Sequence, residues 1–248
     1  MRTYGAEDFR GRFYAHRGLH SPERGVPENS LAAFRAAAEK GCGVELDVQL
    51  SLDGQVVVFH DDTLDRVCGV QGRVTDRTAG DLQRMRLMGT GETIPLFTSV
   101  LDVLSRGSGP LIVELKTCAR RGELCRKTLA ILSRYPGAFC VESFDPRIVR
   151  WFRKNAPEVF RGQLAQPAED YPRALPRPAA RLLGECRLTP YNRPHFIAYK
   201  IGERPERVLR LRRKGVLLFA WTSLDAGKDA LENDAVIFER CVPPDAWP

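Results

Sequence analysis

The stretch "GVELDVQLSLDGQVVVFH" at residues 43–60 contains two apolar runs that are separated by only the four residues "SLDG". A parallel connection needs a dozen or more residues, whereas a hairpin needs only a few. The run at 55–60 is therefore predicted to fold back antiparallel on the run at 43–50. As the return strand of a hairpin, the run at 55–60 is not counted among the parallel strands.

Short apolar runs alternate with helical patterns along the rest of the chain. The other candidate strands lie at 12–16, 111–116, 138–144, 160–165, 195–200, 216–223 and 234–239. With the fold-back set aside, eight strand-helix repeats remain, which predicts an α/β fold of the (β/α)8 TIM barrel class. An open doubly wound sheet is the alternative. The polar, glycine-rich residues 61–95 are interpreted as a small insertion after the hairpin, within a single domain of residues 1–248.

Composition narrows the class of protein without selecting a ligand. Apolar residues make up 43% of the 248 residues, which supports a sizeable core and excludes a disordered chain. The net charge of +7 suits phosphate esters, nucleic acid or an anionic membrane equally well. Seven cysteines without a CxxC spacing indicate free thiols in a reducing compartment. Because no signal peptide or membrane-length apolar run is visible, the sequence predicts a soluble cytoplasmic protein.

Ionisable residues are concentrated at the ends of the most apolar segments, where TIM barrels carry their active sites. These residues are His16, Arg17, Glu45, Asp47, His60, Asp61, Glu114 and Lys116. Burying such groups costs several kcal/mol unless they are paired, hydrogen-bonded or bound to a metal. The pattern therefore indicates a polar site at one end of the sheet.

The carboxylates among these residues allow two interpretations. Glu45 and Asp47 are two residues apart on a strand, so their side chains point the same way. Together with Glu114 they form an oxygen-only ligand set, which suits Mg²⁺, Ca²⁺ or Mn²⁺. The alternative is a salt-bridge network in which Arg17 and Lys116 neutralise the carboxylates.

The hairpin predicts where the second histidine lies. With "SLDG" as the turn, Leu50 faces Gln55, Val48 faces Val57 and Glu45 faces His60. His60 is then expected beside the carboxylates, with His16 at the end of the first strand.

Two histidines near one polar pocket suit general acid-base catalysis, although each alone is also compatible with a buried structural histidine. Arg17 and Lys116 offer positive charge for a phosphate group. Trp221 is interpreted either as an apolar wall for a substrate or as core packing.

The motif order "HRG … PENS … ELDVQLSLDG … VVFHDDTLDR … IPLF … ELK … SFDP … WTS" resembles the glycerophosphodiester phosphodiesterases over residues 13–239. The resemblance implies hydrolysis of a glycerophosphodiester to glycerol 3-phosphate and an alcohol. It also implies roles for individual residues: a divalent cation held by Glu45, Asp47 and Glu114, an acid-base pair of His16 and His60, a phosphate held by Arg17 and Lys116, and a supporting role for Glu28 and Asn29.

Several alternatives stay open at this stage. The chain could instead be a phospholipase C-like enzyme that cleaves a phospholipid, or a non-catalytic binder of phosphate head groups. The attacking group is either water or the 2-hydroxyl of glycerol. A small-molecule substrate is expected, with no nucleic-acid partner and no stable membrane insertion. Ala235 and Glu239 depart from the family pattern, and Lys200 is expected to contact a head group or to pair with Glu142.

Overall fold

The structure is a computed structural model that describes residues 3–245. It divides into two compact units. Among the described residues, the first unit spans residues 14–139, and the second combines residues 3–13 with residues 140–245. Each unit is described separately below.

Strands and helices alternate along the described chain. The strands are β1 (Arg12–His16), β2 (Gly43–Leu50), β3 (Val56–Val58), β4 (Leu111–Leu115), β5 (Phe139–Ser143), β6 (Arg161–Ala165), β7 (Phe196–Lys200), β8 (Leu217–Ser223) and β9 (Ala235–Phe238). The α-helices are α1 (Ala6–Phe9), α2 (Leu31–Lys40), α3 (Asp65–Cys68), α4 (Ala79–Leu82), α5 (Phe97–Leu104), α6 (Arg121–Leu132), α7 (Pro146–Asn155), α8 (Arg177–Gly184), α9 (Thr189–Asn192), α10 (Glu206–Arg213) and α11 (Ala226–Ala230). Each strand lies within a run that the sequence predicts.

The sheet of the first unit is built around β2, which pairs in parallel with both β1 and β4. Strand β3 pairs with β2 antiparallel, which confirms the predicted fold-back. The predicted register is wrong by one residue, because Leu50 pairs with Val56 and Val48 pairs with Val58. The backbone N–H of Ser51 donates to the carbonyl oxygen of Gln55 at 3.0 Å, so Ser51 extends the ladder instead of belonging to the turn.

Helix α2 follows the capping signals in the sequence. The Ser30 hydroxyl accepts a hydrogen bond from the backbone N–H of Ala33 at 3.1 Å, which satisfies a donor at the helix start. Gly41 ends the helix at φ 67°, a left-handed conformation that glycine adopts without a steric penalty. The helix therefore runs from Leu31 to Lys40, between these two caps.

The insertion at 61–95 has an apolar core of its own, although most of its residues are polar. Two short helices, α3 and α4, and a 3₁₀ turn at Val74–Asp76 form it. A buried cluster joins the insertion to β3 and the residue that follows it. Its members are Val57, Phe59, Leu64, Val67, Val74, Ala79, Leu82, Leu87 and Ile94. This packing fixes the insertion on the hairpin.

The second unit contains five parallel strands, β5 to β9, whose neighbours in the sheet follow chain order. A column of stacked rings packs at the starts of these strands, where Phe9 stacks on Phe160, Phe160 on Phe196, and Phe196 on Phe219. Gly162 leaves room for the Phe196 ring, because a Cβ at this position would lie 2.1 Å from it. With the three parallel strands of the first unit, the described chain contains the eight that the sequence predicts.

Two further features agree with the sequence. All seven cysteines are free thiols, as their spacing predicts. Among residues 3–245, we find no helix with the length and apolar character needed to cross a membrane.

Candidate active site

Three buried carboxylates lie together on two neighbouring strands of the first unit. Glu45 and Asp47 project from one face of β2, and Glu114 on β4 is the residue paired in register with Asp47. One carboxylate oxygen of each residue lies within 4.8 Å of the other two. The oxygen-only donor set suits a hard divalent cation.

Two basic side chains reach the same carboxylates. Lys116 Nζ lies 2.9 Å from Glu114 Oε1 and 3.3 Å from Asp47 Oδ1, while Arg17 Nε lies 3.6 Å from Asp47 Oδ2. The predicted salt-bridge network therefore exists alongside the carboxylate cluster.

The pKa values of the clustered carboxylates indicate whether a cation would fit between them. Burial raises the pKa of Asp47, but nearby positive charge, above all that of Lys116, and a hydrogen bond from Asn29 outweigh burial and hold this pKa well below its ordinary value. For Glu114, burial and the charge of Asp47 raise the pKa despite the neighbouring Lys116. Burial thus leaves the charged form of Glu114 disfavoured even beside Lys116, and a divalent cation would stabilise that charged form.

Arg17 connects the cluster to the loop after β1. Its backbone lies in the left-handed region at φ 55°, and its backbone N–H donates to Glu45 Oε2 at 3.2 Å. Its side-chain Nη1 donates to Glu28 Oε1 at 2.6 Å. The buried Nε has no hydrogen-bond partner within residues 3–245. The fixed positive charge of this guanidinium beside the acidic cluster suits an anionic oxygen of a phosphate group.

His60 lies at the end of the fold-back and contacts Asp61. Its Nδ1 is 2.6 Å from Asp61 Oδ1, and because an ionised carboxylate only accepts, Nδ1 carries the proton. Burial lowers the pKa of His60, and the charges of Lys116 and Arg17 lower it further, although Asp47 opposes them. The imidazole is therefore neutral near pH 7, with Nε2 left to exchange a proton.

The register shift changes the carboxylate that lies near His60. The backbone N–H of Phe59 donates to the carbonyl oxygen of Asp47 at 3.0 Å, and the charge of Asp47 acts on His60. The expectation that His60 faces Glu45 is therefore wrong. His16, which pairs in register with Glu45, instead approaches that residue, with Nε2 4.0 Å from Glu45 Oε2. The two histidines thus approach the cluster through different carboxylates.

The "PENS" segment holds both Arg17 and the acidic cluster. Asn29 Nδ2 donates to Asp47 Oδ2 at 2.9 Å, and the backbone N–H of Asn29 donates to the carbonyl oxygen of Arg17 at 2.9 Å. Asn29 lies at φ 53°, which directs its side chain back to β2. Glu28 binds the Arg17 guanidinium, as described above. These contacts connect the "PENS" segment with Arg17 and with Asp47.

The remaining candidates belong to the second unit. Trp221 on β8 donates its Nε1–H to the carbonyl oxygen of Ala198 at 3.0 Å and packs edge-to-face on Phe144. Lys200 forms an ion pair with Asp170 at 2.8 Å, a partner that the sequence does not predict. Asp170 lies 30 residues before Lys200 in the chain, so local sequence does not predict that the two residues pair. Glu142 is buried on β5, and Glu239 follows β9, where it pairs with the neighbouring Arg240 at 3.0 Å.

The sequence does not identify Arg66 as a member of the site. Arg66 of α3 donates to Glu28 and to Asp61, and so connects the residues that hold Arg17 and His60. Arg66 is nevertheless part of the motif "VVFHDDTLDR" that carries the family resemblance, since the motif ends on this arginine. The sequence alone does not show which of several nearby carboxylates it binds.

Comparison with known proteins agrees with the geometry. The model of the glycerophosphoryl diester phosphodiesterase family matches residues 16–241. A glycerophosphodiester phosphodiesterase of Caldanaerobacter subterraneus subsp. tengcongensis is 31% identical over 218 residues, which cover 84% of each chain.

Solved structures give the same result. An Oleispira antarctica phosphodiesterase, solved in complex with the product sn-glycerol-3-phosphate, is 25% identical, covers 94% of each chain and has a TM-score of 0.78. A glycerophosphodiester phosphodiesterase from Thermotoga maritima is 26% identical, with a TM-score of 0.68 over 92% of this chain and 94% of that one. These structures confirm the predicted (β/α)8 barrel fold class. By its sequence over most of its length and by its fold, the chain belongs to the glycerophosphoryl diester phosphodiesterase family.

Proposed function

We propose that the chain hydrolyses glycerophosphodiesters to glycerol 3-phosphate and an alcohol with the help of a divalent cation. The observation that carries this proposal is the buried carboxylate cluster, which is flanked by two histidines and two basic side chains within one compact unit. A protein that only binds phosphate head groups has no need of an acid-base pair. Family membership supports the same reaction.

The residues of the site have separable tasks in this reaction. Glu45, Asp47 and Glu114 would hold Mg²⁺, Ca²⁺ or Mn²⁺, which supplies positive charge to the phosphate oxygens in the transition state. Arg17 and Lys116 add fixed positive charge beside the same position and orient the phosphodiester.

His16 and His60 form the proposed acid-base pair. One imidazole removes the proton of the attacking hydroxyl, and the other protonates the oxygen of the leaving alcohol. For His60 the contact with Asp61 fixes the proton on Nδ1, so Nε2 is the atom that transfers a proton. The neutral form favoured by burial suits a residue that must accept a proton at pH 7.

The reaction is tested by release of glycerol 3-phosphate from glycerophosphocholine and related diesters, with Mg²⁺, Ca²⁺ or Mn²⁺ and after chelation with EDTA. We expect turnover that EDTA abolishes and a loss of about 100-fold or more in His16→Ala and in His60→Ala. Absence of turnover on every diester, or activity indifferent to EDTA, would contradict the proposal. Cleavage of phospholipid vesicles instead of soluble diesters would indicate the phospholipase C-like alternative.

The route of attack is tested with a substrate analogue that lacks the glycerol 2-hydroxyl. Direct attack by water leaves this analogue reactive, whereas attack by the 2-hydroxyl through a cyclic phosphate makes it inert. Detection of a cyclic phosphate by ³¹P NMR during turnover of the natural diester would identify the second route.

We further propose that the chain is a single domain and that Trp221 forms an apolar wall for the substrate. We also propose a cytoplasmic location, which the seven free cysteines favour. Mutation of Trp221 to Ala is expected to raise KM more than it lowers kcat, because an apolar wall contributes to binding and not to proton transfer.

A further inference from the structure

Arg66 makes four hydrogen bonds to two carboxylates from different segments of the first unit. Its Nη1 and Nη2 donate to Glu28 at 2.8 and 2.7 Å, and its Nε and Nη2 donate to Asp61 at 2.6 and 3.1 Å. The planar guanidinium is suited to such paired contacts, whereas a lysine ammonium is not.

These bonds continue on both sides into the proposed reaction machinery. Glu28 also accepts from Arg17, and Asp61 also contacts Nδ1 of His60. One unbroken chain of contacts thus connects the proposed phosphate-binding arginine with one of the proposed acid-base histidines. Arg66 is at its centre.

Arg66 is held in place by the insertion at 61–95. It lies on α3, whose Val67 belongs to the apolar cluster that packs the insertion on β3. At the other end of the insertion, Glu92 accepts from the backbone N–H of Ala32 at 3.1 Å and pairs with Arg35 at 3.3 Å. The insertion therefore holds the start of α2 at one point and Glu28 at another.

Stability alone gives a poor account of this arrangement. The Arg66 side chain is 50% exposed, and ion pairs of exposed side chains contribute little to the free energy of unfolding. Its geometry instead restricts two side chains that must be oriented for the reaction.

We propose that Arg66 is a positioning residue that joins the insertion to the reaction, by orienting Arg17 through Glu28 and His60 through Asp61. This inference rests on the proposed function, because the orientation of Arg17 and His60 matters only for phosphodiester cleavage. Arg66 itself touches no reacting atom. Its main effect is expected through His60, since Arg17 retains its contacts with Asp47 and Glu45 when Arg66 is removed.

The first test compares Arg66→Ala and Arg66→Lys with the control Arg84→Ala. Arg84 lies in the same insertion and pairs only with the exposed Asp81 at 2.6 Å among the contacts of the described chain. We expect Arg66→Ala to lower kcat about 10- to 100-fold, with KM changed less than about threefold and the protein still folded at the assay temperature, because misplacing a proton-transfer group mainly slows the chemical step. Arg66→Lys is expected to recover only part of the loss.

A double mutant tests whether Arg66 acts through Asp61. If it does, Asp61→Asn combined with Arg66→Ala loses little more activity than Asp61→Asn alone. Losses that multiply would overturn the proposal, as would a kcat within twofold of wild type in Arg66→Ala. Full recovery in Arg66→Lys would overturn it too, since charge alone would then suffice.

A spectroscopic test does not depend on turnover. In wild type and in Arg84→Ala, the imidazole ¹⁵N shifts of His60 should report a proton on Nδ1, whereas Arg66→Ala should show a mixture of tautomers. An unchanged His60 spectrum in Arg66→Ala would overturn the positioning role. Lack of turnover in the wild type would overturn the proposed function, and the NMR result would still decide whether Arg66 orients His60.

Discussion

Replacing Glu28 by Gln should make the stability of the protein less dependent on pH. Burial raises the pKa of Glu28, but hydrogen bonds from Arg66 and the charge of Arg17 outweigh it and lower the pKa from 4.5 to about 2. Because the folded-state pKa lies below that of the unfolded chain, the carboxylate stabilises the fold above pH 4.5. This contribution is lost as the pH falls toward 2.

The size of the effect follows from the pKa difference. At about 1.4 kcal/mol for each pH unit, the shift from 4.5 to about 2 corresponds to about 3 kcal/mol at pH 7. Solvent around the half-exposed Arg66 weakens its attraction, so we expect about 2 kcal/mol. Roughly half of the contribution should disappear between pH 5 and pH 3.

The assay is urea unfolding followed by circular dichroism at pH 7, 5, 4 and 3. The difference in the free energy of unfolding between wild type and Glu28→Gln should be largest at pH 7 and shrink steadily below pH 5. The control is Glu39→Gln, which alters an exposed residue of α2 and should follow the wild type throughout. A difference that stays constant from pH 7 to pH 3 would refute the reasoning.

Three further predictions concern the cluster and the core. Mg²⁺ or Ca²⁺ should raise the thermal midpoint of the wild type in a concentration-dependent way but not that of Asp47→Asn, as differential scanning fluorimetry would show. Gly109→Ala should strongly lower the free energy of unfolding in urea, because its Cβ would lie 2.0 Å from the Cys42 carbonyl oxygen, whereas Gly122→Ala meets no atom closer than 3.6 Å and should be tolerated. Phe219→Ala should cost about 3–5 kcal/mol in the same assay, since its ring is fully buried; a cost below about 1 kcal/mol would contradict the packing described.

The sequence predicts the strands well because each is a short apolar run bounded by turn residues. The antiparallel direction of β3 also follows, since four intervening residues cannot form a parallel crossover. The positions of Glu45 and Asp47 on one face require only the alternation of side chains along a strand. These features depend on local geometry, and local geometry is readable from residue order.

The hairpin register is not readable from the sequence, and the reason lies in β3. Residues 44–50 of β2 alternate apolar and polar side chains, but β3 is three consecutive valines, all buried, so it offers no alternation to match against β2. A loop of three or four residues then fits equally well. The structure selects the shorter loop, with Gly54 at φ 75° and Ser51 bonded to Gln55. A shift of one residue moved His60 from the expected neighbourhood of Glu45 to that of Asp47.

The sequence does not reveal the role of Arg66, for a different reason. A long, exposed arginine can reach many carboxylates, and its partners depend on which segments the fold brings together. Here Glu28 comes from the loop before α2 and Asp61 from the end of the fold-back, while Arg66 comes from the insertion. Strand-borne groups such as Glu114 are placed by the sheet, but loop-borne groups need side chains that hold them. The polar insertion supplies such a side chain on a small apolar core, and this gives a stretch with few strand or helix signals a definite part in the proposed reaction.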